Sequence, residues 1–280
     1  MRLQCGRHAL DLDAPVVMGI LNVTPDSFSD GGRFLRLPDA LACALRLAEE
    51  GAAIIDVGGE STRPGAQPVA LDEELRRVIP VIEQLAERLA VPVSVDTRKP
   101  AVMRAAIAAG ASMVNDVSAL GEPGALDAVA ESGVAVCLMH MQGEPRTMQR
   151  EPRYVDVLAE VRDFLGARVA RCAAAGIEPE RIVVDPGFGF GKTLAHNLEL
   201  LRRLPELAAA GRPVLAGLSR KSLVGQLTGR EGGDRLAGSL ALGLLAVRGG
   251  ARILRAHDVA PTVDALRVAA AVDGGWEASA

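Results

Sequence analysis

Three polar side chains each stand at or near the end of a short apolar run in the sequence: Asp96, Asn115 and Asp185. Two carboxylates and an amide that converge in one cup could bind a nitrogen-rich heterocycle, because ring N–H donors match carboxylate oxygens. The alternative is that each side chain caps the helix that follows it, as Asp and Asn often do. For any one residue that alternative is strong, but the presence of such a polar side chain at three strand ends favours a ligand site.

A second group of side chains could bind an anion: Asn22, Arg63, Arg255 and His257. Such a group suits a phosphate or diphosphate. A Mg²⁺ ion could be shared with the anion through Asn22 and Asp30, since this kind of site needs only one or two protein oxygens. For a lone arginine the alternative is surface charge. The long, glycine-flanked loop at residues 58–65 is suited to closing over a ligand, which favours the binding interpretation for Arg63.

Histidines and lysines carry weaker predictions. We expect His140 to be a packed side chain at a strand end rather than a general base, and His196 to be exposed at the start of a helix. Only three of the 31 basic residues are lysines, and Lys192 and Lys221 fall in Gly-rich or Ser-rich loops, which indicates that an ammonium is required there. Residues 187–192 are one residue short of phosphate-loop spacing. No Ser-His-Asp order or HExxH pattern indicates covalent or zinc-dependent hydrolysis.

Eight short apolar runs predict the strands that must position these residues: 16–23, 53–57, 91–95, 112–117, 134–139, 182–184, 213–218 and 252–254. Because the runs are continuously apolar rather than alternating, they are typical of parallel strands covered on both faces. Apolar residues with helical spacing predict helices at 40–50, 71–89, 154–175, 197–210, 233–248 and 261–272, with weaker ones at 101–109 and 124–131.

Strands that alternate with helices fit either a closed (β/α)₈ TIM barrel or an open doubly wound sheet. The rather even spacing of the units and the lack of GxGxxG after the first strand favour the barrel. The candidate residues also follow strand ends, where a barrel builds its site. We therefore predict a single-domain α/β protein. Residues 1–14 precede the barrel and could cover its bottom, residues 15–273 form it, and residues 274–280 are expected to be a flexible tail.

Composition limits the classes of partner and compartment. The chain has 280 residues, 49% hydrophobic and 24% charged, with a formal net charge of −4. That balance lacks the basic field that would hold nucleic acid or an anionic membrane. The apolar stretch near the N-terminus is too short to span a bilayer. Four scattered cysteines without metal-type spacing indicate free thiols, so we expect a soluble protein in a reducing cytoplasm.

Six segments together resemble the dihydropteroate synthase family, in order and in spacing: residues 18–32, 56–64, 139–143, 185–192, 219–221 and 255–259. The resemblance extends from about residue 4 to residue 272. It implies a transferase that condenses 6-hydroxymethyl-7,8-dihydropterin diphosphate with p-aminobenzoate in folate biosynthesis, is a target of sulfonamides, and is typically a homodimer.

The resemblance also implies a role for each matching residue. The pterin-binding set is Asp96, Asn115, Asp185 and Lys221. The diphosphate-binding set is Asn22, Thr62, Arg63, Arg255 and His257, with Asn22 as the Mg²⁺ contact. The p-aminobenzoate pocket is lined by Phe28, Pro64, Phe190 and Ser219. The residues implied to be catalytic are Arg63, Asp96, Asp185 and Lys221.

The chemistry of these side chains is compatible with a reaction in which diphosphate leaves first. Asp96 and Asp185 would then stabilise the positive charge that develops on the pterin methylene group, and the aniline nitrogen would need no strong base. Two rival functions remain at this point. One is a barrel methyltransferase that binds a folate through a similar pterin pocket, and the other is a catalytically silent paralogue.

Overall fold

The computed structural model describes residues 1–24, 37–61, 65–231 and 234–274. Within these ranges an antiparallel hairpin, β1 (Arg2–Cys5) and β2 (His8–Asp11), precedes eight parallel strands. The parallel strands are β3 (Val16–Asn22), β4 (Ile54–Gly58), β5 (Val93–Asp96), β6 (Met113–Asp116), β7 (Ala135–Met139), β8 (Ile182–Asp185), β9 (Val214–Ala216) and β10 (Ala251–Ala256). They close in the order β10-β3-β4-β5-β6-β7-β8-β9, which confirms the predicted (β/α)₈ class.

Helices connect the barrel strands: α1 (Leu37–Glu49), α2 (Leu71–Arg88), α3 (Pro100–Ala108), α4 (Ala125–Ala130), α5 (Val157–Ala174), α6 (Leu194–Arg202), α7 (Leu204–Ala208), α8 (Ser222–Thr228), α9 (Leu236–Arg248) and α10 (Val259–Val272). A short 3₁₀ helix spans Pro179–Arg181. No helix among the described residues is long and apolar enough to cross a membrane.

Three of the differences between the predicted and the observed helices have a clear physical reason. The single helix predicted at 197–210 is two helices, because Pro205 cannot continue α6 and instead lies in the first turn of α7. The helix predicted from residue 154 begins at Val157, where the Asp156 side chain accepts a hydrogen bond from the backbone N–H of Ala159 at 3.0 Å. The seven-residue α8 was not predicted, since so short a helix shows little periodicity.

Side chains on the barrel strands alternate between two environments. Outward residues such as Ile55 and Val57 pack against the helices in a large apolar core. Inward residues near the strand starts form a second, smaller apolar cluster that includes Ile54, Met113 and Val183. Two residues further along the same strands, the inward positions carry polar side chains. The interior of the barrel is therefore apolar at the strand starts and polar at the strand ends.

The β1–β2 hairpin covers the strand starts. Leu3, Cys5 and Leu12 are fully buried and belong to the inner apolar cluster. The backbone N–H of Gly6, in the hairpin turn, donates to the carbonyl of Gly133, two residues before β7 begins, at 3.0 Å. The hairpin thus closes one end of the barrel and leaves the polar end as the candidate site.

Candidate active site

The strand register brings the predicted residues Asn22, Asp96 and Asn115 to neighbouring positions at one end of the barrel. Asn22 pairs with Gly58, Gly58 with Asp96, and Asp96 with Asn115 along neighbouring strands. Asp185 ends β8, opposite Met139 of β7. Asp96, Asn115 and Asp185 are 7%, 5% and 5% exposed, so two carboxylates and an amide lie buried around one polar end of the interior. They do not cap the following helices.

Arg255 lies among these carboxylates. Its Nε atom donates to Asp56 at 2.6 Å, and its Nη2 atom donates to Asp96 at 2.7 Å. The resemblance assigns Arg255 to the diphosphate, and in the structure its guanidinium is also paired with two of the carboxylates. Barrel closure explains the contact, because β10 completes the ring that contains β4 and β5.

Asp56 was not predicted as a site residue. It is fully buried, and its Oδ2 atom accepts hydrogen bonds from both Arg255 and Asn115, the latter at 3.0 Å. It therefore orients an amide and a cation that face the site. The available signal in the sequence was a carboxylate in the middle of the apolar run at residues 53–57, a position where Asp is costly to bury unless it is paired.

Burial shifts the ionisation of these groups. It raises the pKa of Asp96 to about 7 although Arg255 opposes the shift, and it raises the pKa of Asp185 against the opposing charge of Lys221. Burial also lowers the pKa of Lys221 to about 8, with Asp185 acting in the other direction. For Arg255, burial would lower the pKa, but the carboxylates of Asp56 and Asp96 outweigh it and raise the pKa. Two groups at the site thus titrate close to neutral pH.

Lys221 connects two of the predicted sets. Its ammonium donates to the carbonyl oxygen of Phe188 and lies 4.5 Å from the centre of the Phe190 ring. A lysine assigned to the pterin and a phenylalanine assigned to p-aminobenzoate are therefore in contact. This places the two predicted pockets side by side.

The loops after β9 and β10 are also joined. The Oγ atom of Ser219 lies 3.0 Å from Nδ1 of His257, and the backbone N–H of His257 donates to the same oxygen at 3.2 Å. Next to them Arg220 forms an ion pair with Asp258. Ser219, assigned to the p-aminobenzoate pocket, thus holds a residue that is assigned to the diphosphate.

Four site predictions fall outside the described residues: Phe28, Thr62, Arg63 and Pro64. Asp30 does so as well. Just before this second gap, Glu60 is held by Lys99, whose ammonium also pairs with the buried carboxylate of Glu74. This cluster was not predicted from the sequence. It ties the start of the loop after β4 to helix α2.

The fit to Mg²⁺ rests on oxygen atoms of the right kind. A side-chain carbon added at Gly58 would lie 3.6 Å from Oδ1 of Asn22 and 3.7 Å from Oδ2 of Asp96, so these two oxygens flank the same glycine. Among the described residues no group of three or more His, Cys, Asp or Glu side chains could hold a metal ion alone. Oδ1 of Asn22 is a neutral oxygen donor of the kind that a hard cation shared with a phosphate ligand would use, whereas Oδ2 of Asp96 accepts from Arg255.

Of the two histidine predictions, the one for His140 is confirmed and the one for His196 is wrong. His140 is buried and packs edge-on against Phe164 with ring centres 5.0 Å apart, and burial together with Lys192 lowers its pKa to about 3. It is therefore the packed residue that was expected. His196 is not exposed as predicted. It is half-buried, because its ring contacts Tyr154 and its Nδ1 atom accepts from the backbone of Thr193 in a capping box.

Comparisons with known proteins agree with this geometry. A family described as "Pterin binding enzyme" matches residues 18–257. The dihydropteroate synthase of Escherichia coli K12 is 55% identical over 268 residues, which cover 96% of this chain and 95% of that protein. The Haemophilus influenzae enzyme is 49% identical over 280 residues, which cover 100% and 99%.

Solved structures of dihydropteroate synthases are also similar to this chain, both in sequence and in fold. The dihydropteroate synthase of Xanthomonas albilineans with 4-aminobenzoic acid is 59% identical and superposes with a TM-score of 0.92, covering 97% of this chain and 98% of that one. The same enzyme in complex with 7,8-dihydropteroate is 56% identical, with a TM-score of 0.89 and coverage of 98% and 99%. A Yersinia pestis enzyme with a sulfonamide drug is 51% identical, with a TM-score of 0.94 and coverage of 98% and 100%.

Proposed function

The chain belongs to the dihydropteroate synthase family of pterin-binding enzymes, and from the geometry of its barrel mouth we propose how its residues serve that activity. It is a transferase of folate synthesis that joins 6-hydroxymethyl-7,8-dihydropterin diphosphate to p-aminobenzoate, giving 7,8-dihydropteroate and diphosphate. Family membership decides against the rival methyltransferase.

One observation carries the assignment of roles. Asp96, Asn115 and Asp185 are buried at the strand ends, with Lys221 close enough for its charge to act on the two carboxylates. A pterin ring presents N–H donors at one edge and acceptors at others, which matches carboxylates, an amide and an ammonium. We therefore infer that the pterin binds inside the barrel mouth, in contact with these four side chains.

The same residues would act during the reaction. As the bond from the methylene carbon to the diphosphate oxygen breaks, positive charge develops on the pterin, and the ionised carboxylates of Asp96 and Asp185 stabilise it. Arg255 and His257 would face the departing diphosphate, and the family resemblance assigns Thr62 and Arg63 to the same group. Asp56 keeps the Arg255 guanidinium in place. The amine of p-aminobenzoate then attacks the methylene carbon and loses a proton.

The p-aminobenzoate would lie against the loops that follow the strands. Phe190 and Ser219 line this pocket, and Phe28 and Pro64 are assigned to it from the sequence. Since Phe190 contacts Lys221, the aromatic amine would be delivered next to the pterin. Holding two reactants in contact accounts for a large part of the rate acceleration that such a site provides.

Asn22 would hold a Mg²⁺ ion through its amide oxygen. When bound, the ion would neutralise charge on the diphosphate. Two further properties are proposed. Apolar side chains exposed on the adjacent helices α9 and α10, among them Leu245 at 52% and Val268 at 65%, support a homodimer. Four cysteines, all free, support a cytoplasmic location.

The roles can be tested by following diphosphate release and dihydropteroate formation by wild-type protein, Asp185→Asn and Asp127→Asn. Asp127 is an exposed carboxylate on α4 and is the matched control. We expect release that depends on p-aminobenzoate, a loss of about 100-fold in kcat for Asp185→Asn, and no change for the control. Equal rates for the two variants would contradict the assignment. A wild-type protein that binds the pterin but releases nothing would indicate the silent paralogue.

A further inference from the structure

The ammonium of Lys192 is buried beneath the loops that follow β7 and β8. The residue is 2% exposed. Its Nζ atom lies 3.0 Å from Nδ1 of His140, 3.0 Å from the carbonyl oxygens of Gly187 and Phe190, and 3.4 Å from the carbonyl oxygen of His140. All four of these acceptors are neutral. An ammonium has three donors, so they saturate it.

The carbonyl groups that surround Lys192 belong to the loop that carries the site. Residues 185–192 contain Asp185, the Phe188 carbonyl that accepts from Lys221, and the Phe190 ring that Lys221 contacts. This loop bends back on itself so that two of its carbonyl dipoles point at one centre, and His140 of the preceding loop points at the same centre. Converging carbonyl dipoles repel one another unless a cation lies between them.

From this arrangement we propose that Lys192 is a positioning residue, an internal cation around which the loop at residues 185–192 folds. It thereby positions Asp185, the Phe190 ring and the Phe188 carbonyl group that accepts from Lys221. The inference rests on the proposed roles of Asp185 and Lys221. Lys192 itself touches neither substrate.

The energetics support a role beyond packing. Burial lowers the pKa of Lys192 to about 7, with Asp185 acting against the shift, so the charge is held at a cost. A buried charge without an ion pair is an expensive way to fill space, and an apolar side chain of the same length would do so more cheaply. The imidazole of His140 stays neutral, which leaves its Nδ1 atom free to accept from the ammonium.

The chain offers a matched control at the other end of the barrel. Arg181 is also a buried cation, 6% exposed; its guanidinium donates to the carbonyl oxygens of Val129, Ala130 and Val134 and, unlike Lys192, to a carboxylate, that of Glu178, at 2.9 Å. It lies directly before β8 begins, at the closed end. Loss of Arg181 should destabilise the fold without moving the site.

The experiment compares wild-type protein, Lys192→Met, Lys192→Arg and Arg181→Met, well below the melting temperature of each. We expect Lys192→Met to raise the dissociation constant for a dihydropterin about 10-fold and to lower kcat by 10-fold or more, since small displacements at a site are costly. Lys192→Arg should recover part of the loss. Arg181→Met should lose stability to a similar degree and keep wild-type affinity and kcat.

A second readout reports on the position of the loop directly. The chain has only three lysines, so a spectrum of protein labelled with ¹³C at the lysine Cε resolves Lys221 by itself. Its resonance should shift in Lys192→Met and not in Arg181→Met.

An unchanged Lys221 resonance with wild-type affinity and kcat in Lys192→Met would overturn the proposal. A second variant, Lys192→Gln, covers the case in which Lys192→Met does not fold. If neither variant folds, Lys192 is a purely structural cation and the proposal is overturned. If the wild-type protein formed no dihydropteroate in the same assay, the proposed function itself would fail, which is a distinct result.

Discussion

Substitution of Gly187 tests whether the site depends on the contact between the loops after β7 and β8. Gly187 has φ +69°, and a side-chain carbon added there would lie 1.9 Å from the carbonyl oxygen of His140. The added carbon and the carbonyl oxygen need a distance of about 3.0 Å, so the two backbones must separate by about 1.1 Å (3.0 − 1.9). Because both partners are backbone in buried loops, the displacement passes to the residues that they carry.

The expected size follows from two contributions in Gly187→Ala. A non-glycine residue in the left-handed region costs about 1–2 kcal/mol, and overpacking adds about 1–3 kcal/mol. The free energy of unfolding should fall by about 2–5 kcal/mol in urea titrations followed by circular dichroism. A displacement near 1 Å at the site should reduce kcat/KM by about 100-fold, which is about 2.7 kcal/mol of transition-state stabilisation.

Gly211→Ala is the control. Gly211 has φ +81° and no atom within 4 Å of an added side-chain carbon, so only the conformational cost of about 1–2 kcal/mol applies. Its kcat/KM should equal that of the wild type. The reasoning is refuted if Gly187→Ala keeps full activity with the stability of Gly211→Ala, or if both variants lose activity equally.

Three further results are expected. Asp56→Asn should reduce kcat/KM by at least 10-fold, because the guanidinium of Arg255 loses one of the two charges that hold it. Steady-state kinetics of this variant and of Asp127→Asn test this, and equal kcat/KM values for the two would contradict the role of Asp56. Affinity for a dihydropterin, measured by calorimetry, should fall below about pH 7 as Asp96 gains a proton and above about pH 8 as Lys221 loses one. In Asp96→Asn the acid limb should vanish, and its persistence would exclude Asp96 as the source. Lys99→Met should lower the free energy of unfolding by about 3 kcal/mol because it leaves the buried Glu74 carboxylate unpaired; a melting curve like that of the wild type would argue against this.

Much of the architecture could be predicted because local patterns determine it. Continuous apolar runs separated by helical spacing identified eight parallel strands and a barrel, and the polar residues after each run identified the end that carries the site. Asp96, Asn115 and Asp185 were singled out for this reason; the register pairs Asp96 with Asn115, and all three are buried at the strand ends. Short elements such as α8 were missed because seven residues contain too little periodicity.

The pairing of charges could not be predicted, because a closed barrel fixes which strands are neighbours but not which side chains meet inside it. Arg255 and Asp56 are 199 positions apart in the chain, on strands that β3 separates, and neither local sequence indicates their contact. A similar limit applies to Lys192. The rarity of lysine marked it as unusual, but a cage of carbonyl oxygens depends on backbone directions that composition does not encode.

The hairpin at the strand starts has a consequence for the traffic of substrates. Because β1 and β2 cover that end, we expect substrates to enter and products to leave at the strand ends of the part of the chain that the structure describes. Strand-end residues such as Asp185 lie deeper than loop residues such as Ser219. If the proposed roles of these residues hold, we expect the pterin to bind before p-aminobenzoate, and we expect an excess of p-aminobenzoate to slow the entry of the next pterin. The hairpin would then favour a binding order in a reaction in which it takes no chemical part.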